Sequence, residues 1–249
     1  MPARLYLVHG SHPCAAVRRA LELKGIPYRV VEFPPPLHVP VQRLRFGART
    51  VPGIVLEGGE RISGSTAIMR RLDELVPEPP LFGDPVVDQA EAWGERELQP
   101  VARRLLWRGF AFDAAPMVTY QAGGKLPPLP RPVVLAMAPG IIRIERRMNQ
   151  ATDEAVRADF AALPGRLDHV DALVADGVLG GDPPNAADLQ IFSTLRLIMT
   201  LGDLRDTFGD RPAAQHARRL FPDQAGLLPA GTFPASWLPG GGTGAAVAA

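Results

Sequence analysis

The chain has 249 residues, of which 46% are hydrophobic and 21% are charged, ordinary values for a soluble globular protein with a substantial core. Its 27 basic and 26 acidic side chains give a formal net charge of +1, so no nucleic-acid partner is predicted. The single cysteine excludes dithiol redox cycling within one chain and favours a cytoplasmic location. Neither a signal-peptide pattern nor an apolar run of about 18 residues occurs, so no membrane partner is predicted.

The first part of the chain alternates between strand and helix patterns, with glycine or proline at the boundaries. The predicted elements are, in chain order, a strand over residues 4–8, a helix from Pro13 to Lys24, a strand over 28–33, a short irregular helix over 41–46, a hairpin over 54–63 and a helix over 65–76. The proline-rich residues 34–40 exclude regular helix. This order, β-α-β-(α)-β-β-α, predicts one small α/β domain over residues 1–78.

Beyond a proline-rich linker, the sequence predicts helices only. They cover residues 87–112, with a break near Pro100, and residues 141–150, 152–176 and 185–199, whereas residues 122–132 form a loop. The segment 185–199 is apolar on nearly all sides, which indicates a central buried helix. We therefore predict an all-helical domain over residues 86–239, followed by a disordered Gly/Ala-rich tail over residues 240–249.

The tetrad from Ser11 to Cys14 stands where the first strand meets the first helix. Backbone N–H groups and the positive end of the helix dipole converge at such a junction and stabilise small anions, thiolates included. The tetrad has the form of a C-x-x-C redox turn whose first cysteine is a serine, so Ser11 and Cys14 are both candidates for the active group. The structural alternatives are a plain N-cap for Ser11, an inert buried thiol for Cys14, and a solvent-facing position for His12 in place of a role as base or thiolate partner.

Three further motifs accompany this turn. They are, in chain order, Val51-Pro52 ahead of the hairpin, Gly64-Ser65-Thr66 at the start of a helix, and Asn185-x-x-Asp188 ahead of the buried helix. Together with the Ser11 turn they resemble the cytosolic glutathione S-transferase family over roughly residues 4–222. The resemblance implies an α/β thioredoxin-like N-terminal domain packed on an all-α C-terminal helical bundle, and a homodimer.

The resemblance also implies a site for glutathione, a tripeptide with a carboxylate at each end and a thiol between them. Ser11 would donate a hydrogen bond to the thiolate. Val51, ahead of a cis-proline at Pro52, would pair its backbone with the extended peptide. Ser65 and Thr66 would hold a carboxylate at a helix start. The thiolate would then attack a small hydrophobic electrophile, and neither a metal nor another cofactor is required.

Three positions depart from the family pattern. Pro13 stands one place later than in many relatives, with His12 between it and Ser11. Gly64 stands where an acidic residue or glutamine is usual, which removes a partner for the ammonium group of the peptide. The basic residue usual before Val51 is displaced to Arg49. Two alternative functions therefore stay open: a monothiol oxidoreductase that uses Cys14, and a non-catalytic binding module on the same fold. Gly64 favours the binding module, or a thiol other than glutathione.

The remaining polar and aromatic positions receive structural interpretations. Asn185 and Asp188 form an N-x-x-D variant of the capping box. Helical spacing favours core packing, rather than a pocket wall, for three aromatic residues, Trp93, Trp107 and Phe110. A solvated helix face, from which one member points into the cleft as the alternative, is predicted for three basic residues, Arg103, Arg104 and Arg108.

Overall fold

A four-stranded sheet forms the centre of the first half of the molecule. The computed structural model describes residues 2–240, so the tail predicted over residues 240–249 lies outside the described residues except for Gly240. The strands are β1 (Ala3–Leu7), β2 (Tyr28–Glu32), β3 (Gly53–Val55) and β4 (Arg61–Ser63), in the order β2-β1-β3-β4. The β1 and β2 strands are parallel, whereas β3 is antiparallel to both β1 and β4, which confirms the predicted hairpin.

Three helices complete this half, and their order confirms the predicted thioredoxin-like arrangement. They are α1 (His12–Leu23), α2 (His38–Phe46) and α3 (Ser65–Leu75). The apolar face of α1, which includes Val17 and Leu21, is fully buried against the sheet and its neighbours. One boundary was wrong: α2 begins inside the proline-rich segment 34–40. Pro40 lies in the first turn of α2, where a backbone N–H has no intrahelical partner to lose.

The second half is helical, as predicted. Its helices are α4 (Pro85–Trp93), α5 (Gln99–Phe112), α6 (Arg131–Met148), α7 (Asp153–Ala175), α8 (Ala186–Ile198), α9 (Arg205–Phe208) and α10 (Pro212–Leu220), with a π-helical turn at Gly94–Leu98 and short 3₁₀ segments at Ala115–Gln121, Gly202–Leu204 and Ala235–Trp237. Between residues 64 and 240 the only β pairing is an isolated bridge from Leu201 to Leu228. No helix found in residues 2–240 combines the length and the apolar character needed to cross a bilayer.

Two boundaries in this half differ from the sequence prediction. The break expected near Pro100 is the π-helical turn at Gly94–Leu98, and Pro100 lies in the first turn of α5. Helix α6 begins at Arg131 rather than at residue 141, and it continues through an internal proline, Pro139. The sequence prediction placed the start of α6 too late, because the proline and glycine in the middle of this helix are typical of a loop.

Helix α8 is the buried centre of the second half. Every residue from Ala186 to Ile198 is buried except Arg196. The predicted capping box is present: Asn185 Oδ1 accepts from the Asp188 N–H at 3.0 Å, and Asp188 Oδ2 accepts from the Asn185 N–H at 2.9 Å. Asp188 Oδ1 also accepts from the Gly180 N–H at 2.7 Å, so the cap ties the preceding loop to the start of α8.

We expect Asn185→Ala to lower the free energy of unfolding by about 1–2 kcal/mol, because it removes the N-cap of a buried helix. Asp84→Ala, which removes the exposed N-cap of α4, is the matched control, with an expected loss of about 0.5–1 kcal/mol. Urea unfolding followed by circular dichroism measures both. Equal losses of unfolding free energy in the two variants would show that the burial of α8 does not increase the contribution of its N-cap to stability.

Candidate functional site

Ser11 lies at the junction of β1 and α1, and its hydroxyl does not cap the helix. The Ser11 N–H donates to the Val8 carbonyl at 3.2 Å, and the Ser11 carbonyl accepts from the Ala15 N–H at 3.0 Å. Gly10 has a φ of +77°, which lets the chain turn between strand and helix. The Ser11 side chain occupies the N-cap position of α1 without a capping hydrogen bond. Its hydroxyl hydrogen-bonds to the Cys14 sulfur, and donation to a ligand would replace that contact.

Cys14 is held in the protein interior. Only 2% of the residue is exposed. Burial raises the pKa of the Cys14 thiol to about 11, against the smaller opposing effects of the Ser11 hydroxyl and the Val8 backbone. The thiolate form, which is the nucleophile, is therefore scarce at neutral pH. This environment is that of a packing residue.

His12 is buried, and its expected solvent-facing position was wrong. Only 2% of the residue is exposed, because the first turn of α1 is covered by the helical half of the molecule. Among the described residues, no group hydrogen-bonds to its Nε2. Burial, with a smaller contribution from the Arg103 guanidinium, holds the pKa of His12 well below its ordinary value. His12 is thus a neutral imidazole.

The Val51-Pro52 turn lies beside Ser11. Its peptide bond is cis, as the sequence predicted. Thr50 and Val51 line the same cavity as Ser11 and His12. The Pro52 carbonyl accepts from the Gly64 N–H at 3.0 Å, which fixes the turn to the start of α3. Gly64 itself has a φ of +93°, a conformation that favours glycine over the acidic residue expected at this position.

Ser65 and Thr66 begin α3 but direct their hydroxyls toward the helical half. Ser65 Oγ donates to Gln190 Oε1 of α8 at 3.5 Å, and only 3% of Ser65 is exposed. Thr66 Oγ1 lies against two carboxylates, those of Glu91 and, at 3.1 Å, Glu95. Neither Ser65 nor Thr66 lines the cavity that holds Ser11 and Val51. The start of α3 is connected to the cavity lining by the hydrogen bond from the Gly64 N–H to the Pro52 carbonyl.

A cavity of about 600 Å³ lies between the two halves of the molecule and opens beside Ser11. One wall is the segment from Phe33 to His38, and the other is formed by α5, α6 and the loop between them. The apolar side chains that line it from the helical half are Leu106, Trp107, Phe110, Met117, Leu126, Leu129, Val134, Met137, Ile141, Met148 and Leu197. Two of the three aromatic residues assigned to the core, Trp107 and Phe110, are therefore also pocket walls.

Polar groups interrupt this apolar lining on one side. Arg103 of α5, Glu145 of α6 and His12 of α1 all reach the cavity. Burial raises the pKa of Glu145, whose carboxylate accepts from Asn149 Nδ2 at 3.2 Å. His38 also lines the cavity, and its buried Nδ1 has no partner among residues 2–240. Tyr120 is occupied elsewhere, because its hydroxyl lies 2.7 Å from Thr200 Oγ1.

The solvated face predicted for the three α5 arginines was wrong. Arg104 forms a two-pronged ion pair with the buried Asp159, at 2.6 and 2.8 Å. Arg108 Nε donates to Asp153 at 2.7 Å, and its guanidinium stacks 3.8 Å from the centre of the Phe112 ring. The alternative, that one arginine points into the cleft, is confirmed for Arg103.

The remaining sequence-predicted residue, Arg49, is exposed and does not line the cavity. Sequence reasoning missed His38 and Glu145. A signal for Glu145 was present, because it follows Val134, Ala138 and Ile142 at intervals of four and three on the buried stripe of α6. A carboxylate on such a stripe indicates a polar group in an enclosed site.

Residues 5–80 match the family model described as the glutathione S-transferase N-terminal domain. A search of curated protein sequences finds no significant match. Among solved structures, a glutathione S-transferase from Rhodospirillum rubrum F11 is similar at 23% identity and a TM-score of 0.57, over 89% of this chain and 88% of that one.

Two further solved structures are similar over nearly their full length. A glutathione S-transferase from Methylobacterium radiotolerans, in complex with glutathione sulfonate, matches at 18% identity and a TM-score of 0.53, over 92% of this chain and 96% of that one. FzlA from C. crescentus matches at 19% identity and a TM-score of 0.57, over 95% of this chain and 98% of that one. At these identities the likeness concerns the fold.

We expect Cys14 to resist alkylation in the folded protein. A thiol with a pKa of about 11 is ionised in about one molecule in a thousand at pH 8, and burial also blocks the reagent. Native protein treated with iodoacetamide at pH 8 should remain unlabelled by mass spectrometry over an hour. The same protein in 6 M guanidinium (about the unfolding range) is the control and should label fully. Stoichiometric labelling of the native state within minutes would contradict the assignment.

Proposed function

Residues 5–80 belong to the glutathione S-transferase N-terminal domain family, and on that premise we propose that the protein is a glutathione transferase-like enzyme. It activates the thiol of glutathione, or of a related thiol peptide, for attack on a hydrophobic electrophile. The observation that carries the proposal is the Ser11 hydroxyl, which does not cap α1 and lies at the edge of a largely apolar cavity of about 600 Å³. A donor beside a thiol and an adjoining apolar space are the two requirements of this reaction.

Ser11 would act by stabilising the thiolate. A hydrogen bond to a charged group contributes about 1.5–3 kcal/mol, and a helix N-terminus adds about 0.3–1 kcal/mol. Since about 1.4 kcal/mol corresponds to one pKa unit, both effects together suffice to bring a thiol pKa of about 8.5 to near neutrality. The thiol proton passes to solvent, the sulfur forms a bond to an electrophilic carbon, and the leaving group departs with its bonding electrons.

The peptide of glutathione would lie along the Val51-Pro52 turn and reach the start of α3. Val51 offers an N–H and a carbonyl to an extended ligand, as an edge strand does. Ser65 and Thr66 begin α3, so the backbone N–H groups of its first turn are available to the γ-glutamyl carboxylate. Glu95, beside Thr66, supplies the negative charge that is missing at Gly64, and would pair with the ammonium group.

Cys14 chemistry is the less favoured alternative, because its buried thiol lacks access to solvent and ionises poorly. A homodimer and a cytoplasmic location stay part of the proposal, the former by family resemblance and the latter from the single cysteine.

We expect Ser11→Ala to lower kcat/KM for glutathione conjugation about 10- to 100-fold, because the variant removes one charge-assisted hydrogen bond to the thiolate. The ultraviolet absorbance of the bound thiolate, titrated against pH, should show a higher thiol pKa in the same variant. Cys14→Ala is the matched control and should keep its activity within about threefold. Loss of activity in the Cys14 variant alone would favour the monothiol mechanism.

We expect glutathione to bind with a calorimetric signal, and Glu95→Gln to weaken that binding about two- to fivefold, as for an exposed ion pair. A glutathione analogue that lacks the amino group should bind both proteins equally. Arg96→Gln, which changes the neighbouring exposed charge, is the control. The absence of heat and of a thermal shift at millimolar glutathione would instead favour a binding module or another thiol.

A further inference from the structure

Arg103 differs from the other two arginines of its helix in forming no ion pair within the described part of the chain. Arg104 and Arg108 form ion pairs at 2.6 and 2.7 Å with Asp159 and Asp153. Arg103 donates from Nη2 to the side-chain oxygen of Gln99, and no carboxylate among residues 2–240 forms an ion pair with it. A partly buried guanidinium without a counter-charge is costly, and such cations are ordinarily paired.

The surroundings of Arg103 indicate what kind of group would bind to its guanidinium. Arg103 lines a cavity whose other walls are mainly apolar, so an anion beside its guanidinium would be screened weakly by solvent. On the same side of the cavity, His12 Nε2 is buried without a hydrogen-bond partner, and 2% of His12 is exposed. A fixed cation and a buried imidazole thus point toward one region of the lining.

Glu145 does not fill this role. The Glu145 carboxylate accepts from Asn149 and forms no ion pair with Arg103, although the charges of Glu145 and of Glu95 both act on the guanidinium. Burial raises the pKa of Glu145, against the smaller opposing effects of the Asn149 hydrogen bond and the Arg103 charge.

We propose that Arg103 binds an anionic group, above all a carboxylate, of the second substrate, with His12 as a further polar contact beside it. The class of acceptor is therefore an aromatic or unsaturated electrophile that carries a carboxylate. As to the reaction, the inference rests on the proposed function; as to binding, it stands on the cavity alone. Arg103 is a specificity-determining residue in this scheme, separate from Ser11.

A competing role for Arg103 is to stabilise the thiolate itself, since its charge also acts on His12 and Cys14. The two roles make different demands on the acceptor. A thiolate-stabilising arginine affects charged and neutral electrophiles equally, because it acts on the nucleophile that both share. An anion-binding arginine affects only the charged one.

The binding test uses 4-chloro-3-nitrobenzoate and its methyl ester, which share the reacting ring carbon and differ in the negative charge. Quenching of tryptophan fluorescence reports binding without glutathione, because Trp107 lines the cavity. We expect the carboxylate to bind the wild type at least about tenfold more tightly than it binds Arg103→Gln, and the ester to bind both equally. Arg103→Lys, which keeps the charge, should recover part of the difference.

Arg96→Gln is the matched control, because Arg96 is an exposed arginine just ahead of α5 that does not line the cavity. It should bind both compounds as the wild type does. Equal binding of the carboxylate by wild type and Arg103→Gln overturns the proposal, as does an equal loss for both compounds. Circular dichroism checks that each variant is folded, and Arg103→Lys serves if the glutamine variant is not.

Turnover provides the second arm. With glutathione present, the thiolate attacks the ring carbon, a C–S bond forms, and chloride leaves with the electrons of the C–Cl bond. Arg103→Gln should raise KM for the carboxylate about tenfold or more and leave that for the ester unchanged. A carboxylate preference in binding without turnover of either compound would contradict the proposed function and support the anion site. A uniform fall in kcat for both acceptors would assign Arg103 to the thiolate instead.

Discussion

The burial of α8 is the constraint on which the rest of the molecule depends. This helix packs against α1 of the thioredoxin-like half and against α4, α5 and α10 of the helical half. The capping box satisfies N–H groups at the buried start of α8, and Thr194 Oγ1 donates to the Gln190 carbonyl at 2.8 Å. Gln190 Nε2 is buried without a hydrogen-bond partner among the described residues. With α8 fixed, α1 and α5 are fixed on either side of it, and so are the groups that they carry into the cavity.

The segment between the two halves is held by a second buried polar cluster. Lys24 Nζ, at the end of α1, donates to Asp73 Oδ1 of α3 at 2.6 Å and to the carbonyls of Pro77 and Pro79. Asp73 in turn accepts from the Leu81 N–H at 2.8 Å, and the Leu81 carbonyl accepts from the first N–H of α8 at 3.0 Å. These hydrogen bonds order the proline-rich residues 76–84, which thereby set the orientation of α1 relative to α8.

The elements of the fold could be predicted from sequence because each carries its own local signal. The capping box at Asn185, the glycine after α1 and the largely apolar pattern of α8 all depend on neighbours within four residues. The errors fell where tertiary contact overrides local preference. Helix α6 passes through Pro139 because its other residues pack on α5, and His12 is buried because a distant helix covers the first turn of α1.

The site was less predictable than the fold, for a related reason. Ser11, His12 and Val51 were found from motifs close in sequence to a turn. The functions of Arg103 and Glu145 depend on which face of α5 and of α6 meets the cavity. Three arginines stand within six positions on α5, and composition does not separate the one that faces the cleft from the two that pair with aspartates.

The ion pairs of the folded protein distinguish Arg103 from the other two arginines of α5. Arg104 and Arg108 form ion pairs with aspartates, whereas Arg103 forms none among residues 2–240. In the same range, His12 and His38 each have a buried nitrogen without a hydrogen-bond partner. Each such group costs stability, by about 1–3 kcal/mol for an unmet hydrogen bond. Arg103, His12 and His38 line one cavity, so a single ligand placed there would reach all three side chains. The chemistry of that ligand follows from the groups themselves: a guanidinium and neutral imidazoles among apolar walls select a hydrophobic molecule with one acidic end.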